Sequence, residues 1–531
     1  MKLYKYMLLF GLCSSSMLAI TSCKKSSFEE LYTDPGKVGE STVEKQFAGI
    51  TYAYRELIVP SYWNYFVILR SSAIRYVQAT GWANETNQLN PGGASVQDRW
   101  NTYYAGLAQF REFEKLYASL SEVDKTAKKI FYDAAKVLFY NQTHQVVDLH
   151  GDIPWTQAGL LNTNDADYAN SFAQYDSAED IYKKMLDDLK VIANDLNTMT
   201  LSTSVANSFK LQDLINTGDL TTWKRYTNSL RLRMLTRVSA APNFSARATQ
   251  EIAEIVGNPT NYPLVLTNDQ NIDMDIVNPG TDINARGFRD GIESWNANIA
   301  SKVMIDHMKT NVDPRLAFIF EPGEGSRAAG EYIGLDQSLP SSQQQTMIAG
   351  TQANPSKIAL YNRSTFSRNE RFPGILISAS EIQFLLAEYY LKSGNAANAK
   401  TAFENGIKES IALYPAIRKL SADNTTAEAA APTVGQINTY ISNIGWGVNN
   451  LQLIATQKWL HFNIVQPLES WAEVKRLNYP TFTFNVEPSD IQKTAPVKWY
   501  LPASEVNLNS ANYEVVKSTD NVNTKLFWDV N

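Results

Sequence analysis

Apolar residues recur at alternating steps of three and four along much of this chain, and that spacing limits the possible folds more than any single motif does. Between residues 178 and 196 it places the apolar side chains on one face of a helix. Tyr175, Asp176 and Ser177 come directly before this stretch, and polar residues of this kind cap helix starts. The apolar residues are Ala178, Ile181, Tyr182, Met185, Leu189, Ile192, Ala193 and Leu196.

The same spacing predicts a second helix from Trp223 to Val238, in which Arg231 and Arg233 pair with acidic residues elsewhere. Further helices are predicted over 43–57, 99–120, 127–147, 298–307, 437–444 and 451–464. Aromatic residues that lie on apolar stripes are assigned to the core, and these are Tyr182, Trp223, Tyr390 and Phe403. Together these patterns predict an all-α fold.

The clearest helix pair is predicted over residues 380–413. An apolar stripe ends before Gly394 and Asn395, which break the chain, and a second stripe follows with the same spacing. Some positions agree with the tetratricopeptide pattern, namely Leu386, Ala387, Tyr390, Ala399 and Phe403. Gln383 and Ile411 occupy its Trp and Pro positions, so a plain αα-hairpin is the alternative. Either interpretation predicts a scaffold of helix pairs.

Polar stretches rich in Gly, Pro and Asn separate the helical regions. They cover residues 80–98, 257–295, 320–375 and 415–436. Long loops in a compact protein are usually functional or disordered, and the first three carry aromatic and Arg residues that linkers seldom contain. We therefore expect a helical scaffold that presents a ligand-binding face built from loops.

Composition agrees with a globular protein, since 44% of residues are hydrophobic and 19% are charged. The net charge of −6 opposes binding to nucleic acid, which requires a basic face. We predict one helical domain over residues 36–531, with loop-rich insertions at about 257–375.

The first residues have the composition of a secretory signal. Lys2 and Lys5 precede a short apolar stretch, which ends in the sequence from Leu18 to Cys23. An aliphatic residue and small residues before Cys resemble the bacterial lipobox, although an ordinary signal peptide with an incidental Cys is the alternative. We predict a signal peptide over 1–22, a lipid on Cys23 and a tether over 23–35. Cys13 lies inside the signal, so the mature chain keeps a single Cys and forms no internal disulfide.

Catalytic motifs are weak. The chain has four histidines and lacks the zinc-protease, nucleophile-elbow and P-loop patterns. His144 and His150 are interpreted as part of a helix end with a rigid turn, with a metal or acid–base site as the alternative. An Asx-rich turn is favoured over a calcium site at Asn162, Asn164, Asp165 and Asp167. We therefore predict a protein that is not an enzyme and has no cofactor, while a structural calcium stays open.

Several segments, taken in order, are similar to motifs of the SusD/RagB family and of its SusD-like branch in particular. Tyr32 and His150 replace an Asn and a Tyr that are common in the family. The segments are Phe28 to Pro35, Gly151 to Pro154, Tyr175 to Leu189, Asp219 to Arg237, Asp313 to Leu316, Glu381 to Phe403, Gln457 to Trp459, Glu469 to Pro480, and Trp499 to Pro502 with Glu505 and Asn509.

The resemblance implies an all-α, tetratricopeptide-like protein that binds nutrients and has no enzymatic activity. It implies an outer-membrane lipoprotein that forms a lid on a SusC-like, TonB-dependent transporter. Its ligand would be an oligosaccharide or, in some members, a peptide; a lipid-anchored hydrolase is a more distant alternative. Lys24 and Lys25 follow Cys23, where surface-exported relatives often carry acidic residues, so anchoring is a firmer expectation than exposure at the cell surface.

Aromatic residues in the loops are the candidates for ligand contacts, because sugars present apolar faces beside dense hydroxyl groups. The alternative is that each tryptophan packs its own loop against the scaffold. In SusD-like proteins the loops that correspond to Trp82 and Trp295 approach each other at the ligand face. The full set of candidates is Trp82, Asn84, Arg286, Phe288, Arg289, Trp295, Tyr361 and Arg363, with Asn362 beside the last two. No metal site is assigned.

Overall fold

A computed structural model describes residues 41–81 and 86–531. The predicted signal peptide, the lipidated Cys23 and the tether lie outside the described residues, and so do Trp82 and Asn84.

Helices form most of the described chain, so the prediction of an all-α fold is confirmed. The longer helices are Val43–Ala53, Gly93–Ala118, Lys129–His150, Ala178–Thr198, Thr203–Gln212, Leu220–Arg237, Ser245–Gly257, Lys302–Thr310, Ser341–Ile348, Ala379–Lys392, Ala396–Leu420, Val434–Ile444, Asn450–Phe462 and Pro467–Leu477. The shorter α-helices are Arg55–Ile58, Ala73–Tyr76, Glu122–Ala127, Gly287–Glu293, Leu316–Ile319, Ala503–Leu508 and Ser510–Tyr513. A π-helix covers Trp63–Leu69.

The helix Ala178–Thr198 follows its predicted stripe closely. The Ser177 hydroxyl caps its start by accepting a hydrogen bond from the Asp180 backbone N–H at 3.1 Å. Every residue of the predicted stripe is buried. Two contact partners are the helices Leu220–Arg237 and Lys129–His150, so this amphipathic helix covers the core from one side.

The predicted helix pair consists of Ala379–Lys392 and Ala396–Leu420. Between them, Gly394 adopts φ 78°, and the Asn395 side chain caps the second helix by accepting a bond from the Asn398 N–H at 3.1 Å. Phe403 is buried as predicted, but Tyr390 is only partly buried because it lies near the turn. The helix pair is confirmed, and the core assignment of Tyr390 is corrected.

Several predicted boundaries are wrong. The helix predicted from Arg99 begins at Gly93, inside the stretch 80–98 that was predicted as a loop. The helix predicted over 43–57 ends at Ala53, and a separate short helix follows Tyr54. The helix predicted from 298 begins at Lys302, because residues 299–301 are extended and form bridges with neighbouring loops. The loop predicted from 415 begins only after Leu420, since the helix continues through Pro415.

Short antiparallel strand pairs attach the long loops to the helices. Ile153–Pro154 pairs with Tyr175–Asp176, and Phe320–Glu321 pairs with Leu360–Tyr361. A third pair joins Ile272–Met274 to Gly374–Ile377, directly before the helix pair. The loop-rich regions over 257–295 and 320–375 are therefore held against the scaffold by backbone hydrogen bonds.

The hydrophobic core is one cluster that includes residues from Val43 to Trp528. A second, small cluster of Ile299, Leu335 and Ile358 lies beneath the loop segments. Over residues 41–81 and 86–531, none of the helices has both the length and the apolar character that a bilayer crossing requires.

The crossing of the helix pair depends on Gly406, and we expect Gly406→Ala to lower the free energy of unfolding by about 1–3 kcal/mol. A Cβ at this position would lie 2.6 Å from Cε1 of the buried Phe384 ring. Gly49→Ala is the matched control, because its Cβ would meet nothing within 4 Å in the helix Val43–Ala53. It should stabilise the chain by up to about 1 kcal/mol. Urea unfolding of both variants tests this difference, and equal effects would contradict it.

Candidate functional site

The segment that leads into Trp82 lies against the segment that follows Trp295. The Gly81 N–H donates a hydrogen bond to the Ile299 carbonyl at 2.7 Å, and Thr80 forms an antiparallel bridge with Ala300. A Cβ on Gly81 would lie 2.4 Å from the Ala300 carbonyl oxygen, so glycine is required for this approach. The start of the loop that carries Trp82 therefore lies beside the end of the loop that carries Trp295.

Trp295 is exposed, with 80% of its surface accessible. Its backbone lies in the left-handed region, at φ 58° and ψ 30°, and Asn296 follows at φ 56°. A bulky residue in this region is uncommon and strained, and such strain tends to occur at functional sites. The chain thus keeps a large aromatic ring in solvent at an energetic cost.

The helix Gly287–Glu293 packs closely on the π-helix Trp63–Leu69, and two glycines one turn apart allow the contact. A Cβ on Gly287 would lie 2.8 Å from the Tyr62 backbone nitrogen, and one on Gly291 would lie 3.1 Å from the Tyr65 Cβ. This packing places the start of the π-helix beside the segment that carries Arg286, Arg289 and Trp295.

Tyr62 and Phe66 form a pair of stacked rings at this position, which we call the aromatic ledge. Their ring centroids are 5.0 Å apart with an interplanar angle of 14°, and the Arg70 guanidinium lies 3.7 Å from the Phe66 centroid. Tyr62 is exposed and Phe66 is partly buried. Sequence analysis missed the ledge, although the density of aromatic residues from Tyr62 to Phe66 is a signal that could have revealed it.

An open cleft of about 470 Å³ lies next to the helix Gly287–Glu293. It brings two predicted candidates together, Arg286 and Arg289, with other charged residues from the loop after Tyr361. Its charged lining is formed by Arg286, Arg289, Arg368, Arg371, Glu370 and Asp423. Leu420 and Pro279 add apolar surface to the same cleft.

Two of the predicted ligand contacts are core residues, and their assignment is corrected. Phe288 is 0% exposed and packs on Tyr65 and Phe372, with ring centroids 4.5 and 5.4 Å away. Tyr361 is 1% exposed, and its hydroxyl donates to the Ala79 carbonyl at 2.7 Å. Both residues belong to loops by sequence, but their side chains attach those loops to the scaffold.

Arg363 lies apart from the lining of the cleft. Its guanidinium forms an ion pair with the buried Glu321 at 2.6 Å, and only 19% of its side chain is exposed. The neighbouring Asn362 is buried and donates to the Ala317 carbonyl at 3.0 Å. These contacts fix the loop conformation and leave Arg363 a weaker candidate than Arg286 or Arg289.

Three arginines of the helix Leu220–Arg237 are held in the interior, namely Arg231, Arg233 and Arg237. Arg231 pairs with Glu251 at 3.1 Å and Arg233 with Glu381 at 2.5 Å, so the prediction that both pair elsewhere is confirmed. Arg237 contacts three buried carboxylates, those of Asp148, Glu469 and Glu473. We call Arg237 and these three carboxylates, together with Lys458, Glu388 and Arg476, the buried ionic network.

The pKa shifts in this network have structural causes. Burial alone would raise the pKa of the Asp148 carboxyl, but the charge of Arg237 outweighs burial and lowers it. For Glu388, burial is likewise outweighed by Arg476 and Lys458, which hold its pKa well below the usual range. These groups are paired with fixed cations in the interior, which is the arrangement expected of a scaffold.

His150 ends the helix Lys129–His150 and is buried between two tryptophans. Its ring centroid lies 5.1 Å from that of Trp100 and 5.8 Å from that of Trp499. Nδ1 lies 3.1 Å from the Tyr500 carbonyl oxygen, and burial lowers the pKa of the imidazole to about 3. A neutral, enclosed imidazole agrees with the interpretation of a rigid helix end.

The Asx-rich segment forms a local turn. The Asn164 side chain accepts a hydrogen bond from the Asp167 backbone N–H at 3.2 Å and donates one to the Ser171 hydroxyl at 3.1 Å. Among the residues that the structure describes, His, Cys, Asp and Glu do not gather in threes in a way that could hold a metal ion. The expectation that no cofactor is needed stays a prediction.

The protein consists of helix pairs with attached loops, and the loops carry exposed aromatic rings and an open, charged cleft. This arrangement defines a helical scaffold protein with a loop-built binding face. Residues 73–502 match the family SusD-like_2, described as "Starch-binding associating with outer membrane". The chain therefore belongs to the SusD-like family, and the resemblance found in the sequence is confirmed. Members of this family are binding proteins associated with the outer membrane.

Solved structures share the fold over nearly the whole chain. A chitin-binding protein is 21% identical, with a TM-score of 0.72 over 91% of this chain and 100% of its own. A chitin-binding SusD homolog from Flavobacterium johnsoniae is also 21% identical, with a TM-score of 0.67 over 91% and 99%. A SusD homolog from Parabacteroides distasonis is 20% identical, with a TM-score of 0.70 over 92% and 98%. No curated protein matches the chain.

Proposed function

We propose that this protein is a lipid-anchored outer-membrane protein that captures oligosaccharides on its loop face and delivers them to a SusC-like, TonB-dependent transporter. The observation that carries the proposal is Trp295, an indole that is 80% exposed on a strained backbone, directly after the helix Gly287–Glu293 whose Arg289 lines an open cleft. Binding without chemical change is part of the proposal, in agreement with the binding role of the family.

The chemistry of sugars suits this face. Pyranose rings present apolar C–H surfaces that stack on aromatic rings, and their hydroxyl groups bond to charged and amide side chains. Trp295 follows the helix Gly287–Glu293 and the aromatic ledge packs near its start, so both supply rings near this helix, while Arg286 and Arg289 supply donors. Two of the solved structures with this fold are named as chitin-binding proteins, which agrees with a glycan ligand here.

Anchoring and partnership rest on the sequence and on the family. The lipobox-like segment that ends at Cys23 supports attachment of a lipid, and the family association with the outer membrane supports the location. A lid on a transporter needs a contact well above about 1,000 Å². Exposure at the cell surface is included in the proposal, because capture of external oligosaccharides requires it.

Titration calorimetry of Trp295→Ala and Trp82→Ala tests the ligand site. Each substitution should weaken oligosaccharide binding by about 1–3 kcal/mol, as loss of an aromatic anchor does. The melting temperature should change little for Trp295→Ala, because this side chain is exposed.

Tyr168→Ala is the matched control, because Tyr168 is also an exposed aromatic residue but lies on a different loop. Its affinity for the ligand should equal that of the unmodified chain. Unchanged affinity in both tryptophan variants would place the site elsewhere. A peptide that binds tightly while every oligosaccharide fails would favour the peptide-binding alternative.

A further inference from the structure

The cleft next to the helix Gly287–Glu293 has a local charge opposite to that of the whole chain. Its lining contains four arginines, Arg286, Arg289, Arg368 and Arg371. Pairing of Arg368 with Glu293 still leaves three arginines against Glu370 and Asp423, while the chain as a whole carries a net charge of −6. Such an excess of cations in a concave region attracts anions, because the walls of a cleft focus the field. The capacity to bind an anion depends on how many of these guanidinium groups are already paired with carboxylates of the protein.

Arg368 is fully engaged. Its guanidinium forms two hydrogen bonds with the Glu293 carboxylate, both at 2.9 Å, and the Ser367 hydroxyl donates to the same carboxylate at 2.5 Å. Burial alone would raise the Glu293 pKa, but the bonds from Arg368 and Ser367 outweigh burial and lower it. The charge of Glu293 is therefore neutralised by Arg368 and does not offset the other arginines.

Two other arginines are held only loosely. The Arg289 side chain is 58% exposed, and its nearest carboxylate oxygen, on Glu293, lies 3.8 Å away. Arg286 lies 3.2 Å from Glu370, but both side chains are more than half exposed. Exposed ion pairs of this kind contribute little and exchange readily with an incoming anion.

Arg371 has no anionic partner in the described part of the chain. Its backbone N–H is bonded to the Asn369 side chain at 3.2 Å, while its exposed guanidinium pairs with none of the described carboxylates. Asp423, the second acidic residue of the lining, accepts bonds from the Ser364 hydroxyl at 2.5 Å and the Thr425 N–H at 3.0 Å and forms no ion pair with Arg289 or Arg371. Arg289 and Arg371 are thus available to a ligand.

We propose that this four-arginine cleft selects oligosaccharides that carry negative charge, as carboxylate or sulfate groups, over neutral oligosaccharides of the same backbone. The inference rests on the proposed function and specifies its substrate class. Planar guanidinium groups bind carboxylate and sulfate oxygens through paired hydrogen bonds. Trp295 is two residues from Glu293, so their Cα atoms are within about 8 Å, and the Glu293 carboxylate bonds to Arg368 of the cleft lining.

A glycan suits this site better than an acidic peptide does. The face combines the exposed Trp295 and the aromatic ledge with the cations, and flat aromatic surfaces fit pyranose rings. An extended peptide that binds by strand addition would need an exposed strand edge. The strands at this face, Phe320–Glu321 and Leu360–Tyr361, are only two residues long.

Calorimetric titration of the full chain in detergent tests the selection with matched pairs of ligands. One pair is oligogalacturonate and its methyl ester, the other is a sulfated dextran oligomer and unsulfated dextran, and an acidic peptide is included. The charged member of at least one pair should bind about tenfold more tightly at low salt, and the difference should shrink at high salt because exposed charges are screened. The pair that shows the difference identifies the anionic group as carboxylate or sulfate.

The variants Arg289→Gln and Arg371→Gln should each reduce that preference by about threefold or more, and Arg371→Gln should leave the affinity for the neutral ligand unchanged. Arg327→Gln is the matched control, since Arg327 is 53% exposed and 3.6 Å from a carboxylate but does not line the cleft. It should keep the full preference. Melting temperatures confirm that the variants fold.

The outcomes separate this inference from the proposed function. Equal binding of charged and neutral oligosaccharides, with both affinities lost in Trp295→Ala, would overturn the charge selection and support the proposed function. A preference that persists in Arg289→Gln and Arg371→Gln would also overturn it. Tight binding of the acidic peptide with no binding of any oligosaccharide would overturn both.

Discussion

Replacing Arg237 with methionine is expected to lower the free energy of unfolding by about 3–5 kcal/mol, the range seen when one partner of a buried ion pair is removed. Arg237 is 1% exposed and contacts Asp148, Glu469 at 2.7 Å and Glu473 at 3.3 Å. Methionine fills similar space but leaves these carboxylates without that charge. Glu473 keeps Lys458 and Arg476 as partners, so Asp148 and Glu469 bear most of the loss.

The pH dependence gives a second, independent readout of the same change. In the unmodified chain, the pKa values of Asp148 and Glu469 are lowered: burial opposes ionisation, but arginine charges outweigh it. Their contribution to stability is present above the pKa of the unfolded carboxyl and is lost as the pH falls through the folded value. In Arg237→Met, burial without the cation should raise these pKa values. The difference in free energy of unfolding between the variant and the unmodified chain should therefore become smaller as the pH falls from 7 toward 5.

Chemical unfolding at several pH values measures both effects. Lys302→Met is the control, because Lys302 and Asp306 form an ion pair at 2.5 Å in which both side chains are about half exposed. Its effect should stay within about 0.5 kcal/mol. If Arg237→Met were as stable as this control at pH 7, the network would not hold the scaffold together.

The sequence was a good guide to the scaffold because the scaffold obeys local rules. The stripe from Ala178 to Leu196 is buried along its whole length, and Ser177 caps that helix as expected. The break at Gly394 and Asn395 separates the helix pair. Failures occurred where tertiary contacts override local preference, as at residues 299–301, whose extended backbone is stabilised by bridges to distant loops.

The ligand face was harder to predict, because loop membership does not determine exposure. Trp295 is exposed while Phe288, from the same loop by sequence, is buried between Tyr65 and Phe372. The choice depends on the approach of the π-helix to Gly287 and Gly291, which is a long-range contact. The aromatic ledge was missed for a different reason: it lies on a π-helix, which lacks the three-and-four spacing of an α-helix.

The segments that carry the family resemblance have a clear structural role. Arg233 and Arg237 come from one of them, Glu381 and Glu388 from another, and Lys458 with the segment Glu469 to Arg476 completes the set. The structure places all of these in the buried ionic interactions between helices. Trp295 and Arg371 lie outside those segments. The family motifs therefore identify the scaffold, while the residues that we propose to contact the ligand lie between them.

Replacing Cys23 with serine is expected to abolish lipid labelling and to release nearly all of the protein from the membrane fraction. Each buried CH₂ of an acyl chain contributes about 0.8 kcal/mol, so two or three chains make anchoring stable and their loss decisive. Among the described residues, the helices provide no substitute, since none could cross a bilayer. Metabolic labelling with a fatty acid and fractionation measure the two effects separately.

Cys13→Ser is the matched control, because Cys13 is the only other cysteine and lies inside the predicted signal peptide. This variant should be labelled and anchored like the unmodified chain. An alkaline wash before fractionation removes proteins that are held only through other proteins, so a bound transporter would not hide the release. If Cys23→Ser resisted the wash as well as Cys13→Ser did, a lipid on Cys23 would not be the anchor, and attachment would have to come from another part of the chain.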